Sequence, residues 1–366
     1  MGAAFVLCPQ TPTTKESATL AGVSTTTTSP HPLPPVERVR PGLWSVPVPI
    51  PNNPLRYVLV YAFETDSGPV LVDAGWNTDD AWAALCDGLT TAGFDVGSVR
   101  GVLVTHIHPD HYGLAGRVRE ASGAWVGLHP ADAALIGDRY EDMEDLLERI
   151  GGWLRRAGAP VEQSSSLQMA SMAVRRFVDP VHPDVMIEDH DRPEVGGWDI
   201  TALWTPGHSP GHLCFYEAGH RLLLSGDHVL PRITPNIGYH PQAGDDPLGD
   251  FLRSLDKVDA ECPSDEVLPA HEHRFVGLPA RVAELKAHHE RRFLEVIAAI
   301  QDGADTAWAV TARMSWSRSW DRIEGYMRRA ALGEALAHLR ALEVRGLVRS
   351  VDGEPVKYEV VGGTRG

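Results

Sequence analysis

The sequence predicts an α+β fold in which two β-rich halves are each flanked by helices. Short apolar runs rich in β-branched residues alternate with stretches whose apolar residues recur at helical spacing. Histidine and aspartate repeatedly follow the apolar runs, so that chemically active groups would collect at one edge of a sheet. A mainly helical region at residues 130–194 lies between the halves, and another at 278–366 follows them.

The first half is predicted to contain a hairpin followed by alternating helices and strands. In order, the elements are an entry strand within 37–54, strands at 57–63 and 69–73, a helix at 79–91, a strand at 102–105, a helix at 112–122 and a strand at 125–128. Strand, helix and strand in alternation indicate a sheet covered by helices.

Residues 130–194 are predicted to form a helical insertion. Helical periodicity extends over 131–136, 142–157 and about 161–178, and the second stretch carries a wide apolar stripe. Met143, Met169 and Met172 could line an adaptable apolar pocket or fill an ordinary core. The insertion is either a lid that contacts substrate or a packed layer without ligand contact, and the sequence leaves both open.

The second half is predicted from four short apolar runs. They lie at 200–204, 212–216, 221–225 and 267–268. His208 follows the first run, Asp227 the third and His271 the fourth, so side chains that bind metals again lie at strand ends.

The composition limits the function classes. The chain has 366 residues, 43% of them hydrophobic, and a formal net charge of −16, which disfavours general binding to nucleic acid or anionic membranes. The four cysteines are scattered, which argues against a disulfide framework and favours a reducing cytoplasm. Since no run approaches 18 apolar residues, we expect no membrane span. Residues 1–35, rich in Thr, Ser and Pro, are predicted to be disordered, or to reflect an overlong start.

The most informative stretch is Thr105-His-Ile-His-Pro-Asp-His111. It places four possible metal ligands within six residues, directly after the apolar run 101–105. Pro109 cannot supply a ladder hydrogen bond, so the strand should end here and a loop begin. A single histidine is usually an ordinary surface or core residue, but this cluster at a strand end indicates a metal site. Imidazole and carboxylate suit zinc or iron, and four ligands in one loop suggest two metals.

This stretch resembles the His-x-His-x-Asp-His signature of the metallo-β-lactamase-fold superfamily. Four further motifs agree in order: Asp73 in Val-Asp-Ala-Gly, His208 in Thr-Pro-Gly-His, Asp227 in Ser-Gly-Asp and His271 in Pro-Ala-His. The resemblance covers residues 36–280 and implies an αββα sandwich, with the hydrolase domain at 36–277.

The resemblance also implies the ligands of two Zn²⁺ ions, with iron or manganese as alternatives. One metal would be bound by His106, His108 and His208; the other by Asp110, His111 and His271; Asp227 would bridge both. Asp73 would accept hydrogen bonds near the metal loop and fix the ligand geometry. A bridging hydroxide, formed because two cations lower the pKa of water, would attack the substrate. Asp110 would orient the nucleophile or pass a proton to the leaving group.

The residues in the motifs and the spacing between them disfavour some branches of the superfamily. A bridging aspartate disfavours β-lactam hydrolysis, and about 60 residues between His208 and His271 are too few for the nuclease branch with a large inserted domain. Glyoxalase II-like thioesterases, lactonases and small endonucleases remain. Tyr239 and His240, shortly after Asp227, are the candidate substrate-binding residues.

Residues 278–366 are predicted to form a winged-helix-like domain of three helices and a hairpin around Asp352-Gly353. This tail resembles the domain behind some superfamily members, including a single-stranded-RNA endonuclease. Residues 281–350 carry 12 Lys or Arg against 9 Asp or Glu, a margin that is thin for phosphate binding. The tail is therefore read as a structural appendage, with a nucleic-acid module as the alternative.

The sequence thus predicts a binuclear-zinc hydrolase in which hydroxide attacks a small carbonyl substrate: a thioester, an ester or a lactone. The alternative is a metal-dependent endoribonuclease that uses the winged helix to bind RNA. A third reading, a non-catalytic metal-binding scaffold, is disfavoured by the complete ligand set. The sequence leaves a homodimer open.

Overall fold

The computed structural model describes residues 32–169 and 175–362. Within them, a seven-stranded sheet carries the first half of the motifs. Its strands, in spatial and chain order, are β1 (Glu37–Arg40), β2 (Leu43–Pro49), β3 (Tyr57–Phe63), β4 (Val70–Val72), β5 (Gly101–Leu103), β6 (Trp125–Leu128) and β7 (Val185–Met186). β1 to β4 pair antiparallel, and β4 to β7 pair parallel. Because β4, β5 and β6 are parallel, the residues that follow them meet at one edge.

A second, four-stranded sheet carries the remaining motifs. Its strands are β8 (Ile200–Trp204), β9 (Leu213–Glu217), β10 (Leu222–Gly226) and β11 (Glu266–Pro269), in the order β11-β10-β9-β8. β8, β9 and β10 are antiparallel neighbours, whereas β10 and β11 are parallel. Asp227 and Ala270-His271 therefore leave the sheet at the same edge.

The two sheets pack face to face with helices outside. Alternate residues of β3 divide between two cores: Leu59, Tyr61 and Phe63 pack with residues of the second sheet, and Val58 and Val60 pack under helices. The helices on the first sheet are α1 (Asp79–Thr91), α2 (Pro109–Tyr112) and α3 (Ala115–Ser122), and α7 (Pro247–Glu261) covers the second sheet. The predicted α+β class with helices outside two sheets is confirmed.

The insertion contains α4 (Pro130–Ala133), a π-helical turn at Gly137–Glu141, α5 (Glu144–Ala157) and α6 (Val161–Met169). Leu146, Ile150 and Leu154 of the predicted apolar stripe are buried. The third helix was predicted over about 161–178. Residues 170–174 of that range, including Met172, lie outside the described residues. β7 was not predicted, because a strand of two residues is too short to give a recognisable pattern.

The C-terminal region consists of α8 (Leu278–Gln301), α9 (Ala307–Arg313), α10 (Gly325–Val344) and a hairpin of β12 (Val348–Val351) and β13 (Lys357–Val360). The succession of three helices and a hairpin agrees with the sequence; its assignment as a winged helix, and a domain boundary at residue 278, stay predictions. Leu285 of α8 and Leu332 of α10 share a hydrophobic cluster with Phe251 of α7, so these helices pack directly on the hydrolase core.

The predicted disorder of residues 1–35 concerns mainly residues 1–31, which lie outside the described part of the chain. Among the described residues, no helix combines the length and apolar character needed to cross a membrane. Cys86, Cys214 and Cys262 form no disulfide.

A buried histidine pair makes the C-terminal packing sensitive to pH. His289 Nδ1 and His338 Nε2 lie 3.1 Å apart, and burial lowers the pKa of His289 to about 2 and that of His338 to about 3. The unfolded chain has an ordinary histidine pKa of about 6.5, so it binds more protons below that pH. The stabilising contribution is complete above about pH 6.5 and is lost as the pH falls, by up to about 1.4 kcal/mol per pH unit and histidine.

We expect the double variant His289→Phe/His338→Leu to lose less unfolding free energy than the wild type between about pH 6.5 and pH 5. Urea unfolding of both proteins at several pH values measures this difference. Equal pH slopes would contradict the assignment of the pair.

Candidate metal centre

The ligand-rich loop begins where β5 ends. Pro109 occupies the first helical position of α2 and His108 caps that helix, so Asp110 and His111 lie in its first turn. Proline is favoured at this position because its fixed φ suits a helix start and its missing N–H is not needed there. The abrupt change from strand to helix directs the predicted ligands on both sides of Pro109 into one cluster.

His106, His108 and His208 form the first ligand group. His108 Nδ1 lies 2.9 Å from His106 Nε2 and 2.9 Å from His208 Nε2. His208 comes from the loop after β8, so the group joins the two sheets.

The hydrogen bonds behind this group fix which ring nitrogens carry protons. His208 Nδ1 donates to the carbonyl of Asn236 at 2.9 Å. His106 Nδ1 lies 3.0 Å from Thr105 Oγ1, whose hydroxyl lies 3.0 Å from both oxygens of the Asp73 carboxylate and donates to it. In the neutral rings, both inward-facing Nε2 atoms therefore present lone pairs.

These rings are held neutral. Burial lowers the pKa of His106, His108 and His208, and neighbouring imidazoles add to this for His106 and His108. A cation between these rings would be bound by the lone pairs of neutral imidazole nitrogens. The donor set therefore fits a metal such as zinc.

Asp110, His111 and His271 form the second ligand group. Asp110 Oδ2 lies 3.4 Å from His271 Nε2 and 3.7 Å from His111 Nε2. His271 Nδ1 donates to the Tyr57 carbonyl and His111 Nδ1 to the Asp73 carboxylate, at 2.9 and 2.8 Å. Within the described chain, the buried Nε2 atoms of both rings have no hydrogen-bond partner, as expected for groups directed at an ion.

Asp227 lies between the two groups. Its Oδ1 is 3.2 Å from His271 Nε2 and 3.6 Å from His111 Nε2, whereas its Oδ2 is 3.5 Å from His208 Nε2. Burial opposes charge on these groups, but the attraction between the Asp227 carboxylate and the two rings outweighs it: the pKa of Asp227 is well below its usual value, and that of His271 is raised to about 10.

The carboxylate of Asp73 supports both ligand groups from behind. It accepts hydrogen bonds from the Thr105 amide at 2.8 Å and from His111 Nδ1, and through the Thr105 hydroxyl it holds His106. Asp73 has a φ of +63°, which is unusual for a residue other than glycine.

Asp132 has a similar supporting position that the sequence analysis missed. Its buried carboxylate accepts from the Ile107 amide at 2.9 Å, the Ser209 hydroxyl at 2.8 Å and the Gly211 amide at 2.7 Å. It therefore ties the metal loop to the loop that carries His208. No local pattern indicated this role, because Asp132 lies inside α4, four residues after the end of β6.

We expect Asp132→Ala to lower metal affinity about 10- to 100-fold, because such supporting residues orient the ligands. The loss of a buried acceptor should also lower the unfolding free energy by about 1–3 kcal/mol. Competition titration with a chelating dye and urea unfolding measure the two effects. Glu217→Ala is the matched control, since this buried carboxylate accepts from the Gly219 and His220 amides away from the ligands. Unchanged metal affinity in Asp132→Ala would contradict the role.

A cavity of about 460 Å³ opens beside the ligand groups. Its walls include Met143, Leu146, Ile150 and Trp153 of the insertion and Tyr326, Met327 and Arg329 of the C-terminal region. Of the two candidate substrate-binding residues, His240 lines the cavity, and its role in binding stays a prediction. Tyr239 is not among the lining residues: it packs against the cluster shared by the C-terminal helices, and its amide donates to the Gly333 carbonyl.

Comparison with known proteins agrees with this geometry. The family model of the Metallo-beta-lactamase superfamily matches residues 53–271, more than half of the chain. A solved metallo-beta-lactamase family protein from Thermus thermophilus is 33% identical with a TM-score of 0.77, and the match covers 88% of this chain and 100% of that one. The probable metallo-hydrolase YqjP of Bacillus subtilis is 23% identical over 314 residues, 83% of this chain and 93% of YqjP.

The Acyl-coenzyme A thioesterase MBLAC2 of Gallus gallus is 31% identical over 180 residues. These residues are 47% of this chain and 56% of that relative, so the chain spans little more than half of it. By its motifs, its fold and the matching family model, the chain belongs to the metallo-beta-lactamase superfamily and is a metal-dependent hydrolase.

Proposed function

We propose that this protein hydrolyses acyl thioesters with a pair of zinc ions. The observation that carries the proposal is the position of Asp227, whose two oxygens face two separate ligand groups at the wall of an apolar cavity. The first ion would be bound by His106, His108 and His208, the second by Asp110, His111 and His271, and both by Asp227.

When bound, two such cations supply a hydroxide nucleophile at neutral pH and polarise the scissile carbonyl. Asp110 is the proton carrier on the protein. It lines the cavity, and although burial opposes its ionisation, His111 and His271 hold its pKa below the usual value. It is therefore a carboxylate at neutral pH. It can accept the proton that the nucleophilic water loses and deliver it to the thiolate that is released when the C–S bond breaks. The products are a carboxylic acid and a thiol.

The cavity wall favours an acyl substrate. Met143, Leu146, Ile150 and Trp153 give the insertion an apolar face toward the ligand groups. Such a face removes an acyl chain from water, which contributes about 25 cal/mol per Å² of apolar surface. The thioesterase name of the Gallus gallus relative supports the same bond type.

The endoribonuclease alternative has less support. A reader of nucleic acid needs cationic side chains directed at phosphates. On α10 and just after it, three arginines have partners within the protein: Arg328 donates to Gln163 and the Trp320 carbonyl, Arg340 to the Asp245 carbonyl, and Arg345 to Glu290. These three guanidinium groups are therefore not directed at a phosphate backbone.

The test is a substrate panel with the zinc-loaded protein: acyl thioesters of coenzyme A and of N-acetylcysteamine, aliphatic lactones, aryl esters and short single-stranded RNA. We expect thioester hydrolysis that chelation abolishes and zinc restores, with His106→Ala as the inactive control. Zinc-loaded protein that leaves every thioester intact would refute the proposal, and RNA cleavage instead would favour the alternative.

A further inference from the structure

The cavity beside the ligand groups has a charge composition opposite to that of the chain. The chain carries a formal net charge of −16. Among the described lining residues, however, the carboxylates are Asp110 and Asp227, both in the ligand groups, and the remaining charged residues are Arg139, Arg175 and Arg329. A cationic wall in an acidic protein indicates a ligand that carries negative charge.

Arg175 has a structural role within this wall. Its Nε donates to the Tyr140 carbonyl at 2.6 Å and its Nη2 to the Glu141 carbonyl at 2.9 Å. These bonds hold the turn that presents Arg139. Arg139 and Arg329 are the other two guanidinium groups that line the cavity.

Both arginines are anchored next to segments that support the ligands. Arg139 precedes Tyr140, whose hydroxyl donates at 2.6 Å to the carbonyl of Ile107, the residue between two ligands. Arg329 lies one helical turn before Gly333, whose carbonyl accepts from the Tyr239 amide at 2.9 Å. His240, the residue after Tyr239, also lines the cavity. The insertion and α10 therefore each bring one guanidinium to the same reaction space.

The half-buried guanidinium groups of Arg139 and Arg329 both act on His240. Burial is the main cause of the lowered pKa of His240, about 3, and Arg139 and Arg329 both add to it. Arg139 also lowers the pKa of His108, after burial and His208. A guanidinium group at a partly desolvated wall offers an oxyanion planar, charge-assisted hydrogen bonds, and this cavity has two such groups on different elements.

We infer that Arg139 and Arg329 bind an oxyanion of the substrate, so that the enzyme acts on acyl compounds that carry a carboxylate or a phosphate. This inference rests on the proposed function for the reaction itself. The oxyanion belongs either to the acyl part, as a second carboxylate, or to the thiol part, as a phosphate. In both cases the C-terminal helix α10 contributes to specificity.

Two substrate pairs test the inference and separate the sources. Glutaryl and pentanoyl thioesters of N-acetylcysteamine differ by a carboxylate on the acyl part; pentanoyl thioesters of 4′-phosphopantetheine and of pantetheine differ by a phosphate on the thiol part. We expect the zinc-loaded wild type to prefer the charged member of one pair roughly 10- to 100-fold in kcat/KM, the range for hydrogen bonds to charged groups.

Arg139→Gln and Arg329→Gln should each remove most of this preference by raising KM, with kcat little changed. Arg329→Lys keeps the charge without the planar fork and should retain an intermediate preference. Arg322→Gln, an exposed change of equal charge, is the matched control. Melting temperatures show whether each variant is folded.

Calorimetric binding of inorganic phosphate to the zinc-loaded protein gives a second measurement that needs no turnover. If no thioester is hydrolysed but Arg139→Gln/Arg329→Gln weakens phosphate binding about tenfold or more relative to Arg322→Gln, the proposed reaction fails and the oxyanion site stands. If thioesters are hydrolysed with no arginine-dependent preference in either pair, or if turnover is absent and phosphate binding is the same in all variants, the inference is overturned.

Discussion

Asp227→Ala is expected to lower kcat/KM for thioester hydrolysis by about 1,000-fold or more and to reduce the zinc content from two ions per chain to one or fewer. The expectation follows from the position of the Asp227 carboxylate between the two ligand groups. Its Oδ1 lies 3.2 Å from His271 Nε2, and its Oδ2 lies 3.5 Å from His208 Nε2. Removing this carboxylate leaves the two cations without a shared anion to offset their repulsion. Cations at such sites contribute several kcal/mol to the transition state, and each 1.36 kcal/mol is about tenfold in rate.

Steady-state kinetics and elemental analysis after dialysis measure these effects. Asp265→Ala is the control, because that exposed aspartate pairs with Arg221 away from the ligands. A folded Asp227→Ala protein that keeps two zinc ions and the wild-type rate would show that this carboxylate does not join the groups.

Zinc is expected to raise the melting temperature of the chelator-treated protein by about 5–10 °C. A ligand that binds only the folded state at 1,000 times its Kd stabilises by about 4 kcal/mol, and each kcal/mol shifts the melting temperature by roughly 2 °C in a chain of this size. Here the gain has a specific source: the Nε2 atoms of His111 and His271 and Oδ1 of Asp227 are buried without a hydrogen-bond partner in the described chain. A cation satisfies all three.

Scanning calorimetry with chelator and with excess zinc measures the shift. His271→Ala should show a smaller shift in melting temperature, because it removes one of the predicted ligands. The ring of His271 is held in place by the hydrogen bond from its Nδ1 to the Tyr57 carbonyl. Equal melting temperatures with and without zinc in the wild type would contradict a preorganised centre.

The sequence predicted the cluster because strand order makes local motifs converge. β4 and β5 are parallel neighbours, as are β10 and β11, so Asp73, the loop from Thr105, Asp227 and His271 all leave strands at shared edges. Each motif is local, and its place at a strand end could be read from the apolar run before it. The α+β class followed from the same alternation.

Residues whose role depends on distant packing could not be predicted in this way. Asp132 acquires its role only because the loop with Ser209 and Gly211 folds onto it from the second sheet. Arg329 reaches the cavity because α10 packs against α7, a contact that no local pattern records. Tyr239 likewise packs against the cluster of the C-terminal helices and does not line the cavity, and this contact depends on the distant helix α10.

The most direct test of the binuclear centre is an anomalous difference map from a crystal grown with zinc. We expect two peaks about 3.5–4 Å apart. One should lie among His106, His108 and His208, the other among Asp110, His111 and His271, with Asp227 contacting both. A map without peaks in this cluster, or with its side chains directed away from one another, would contradict the account.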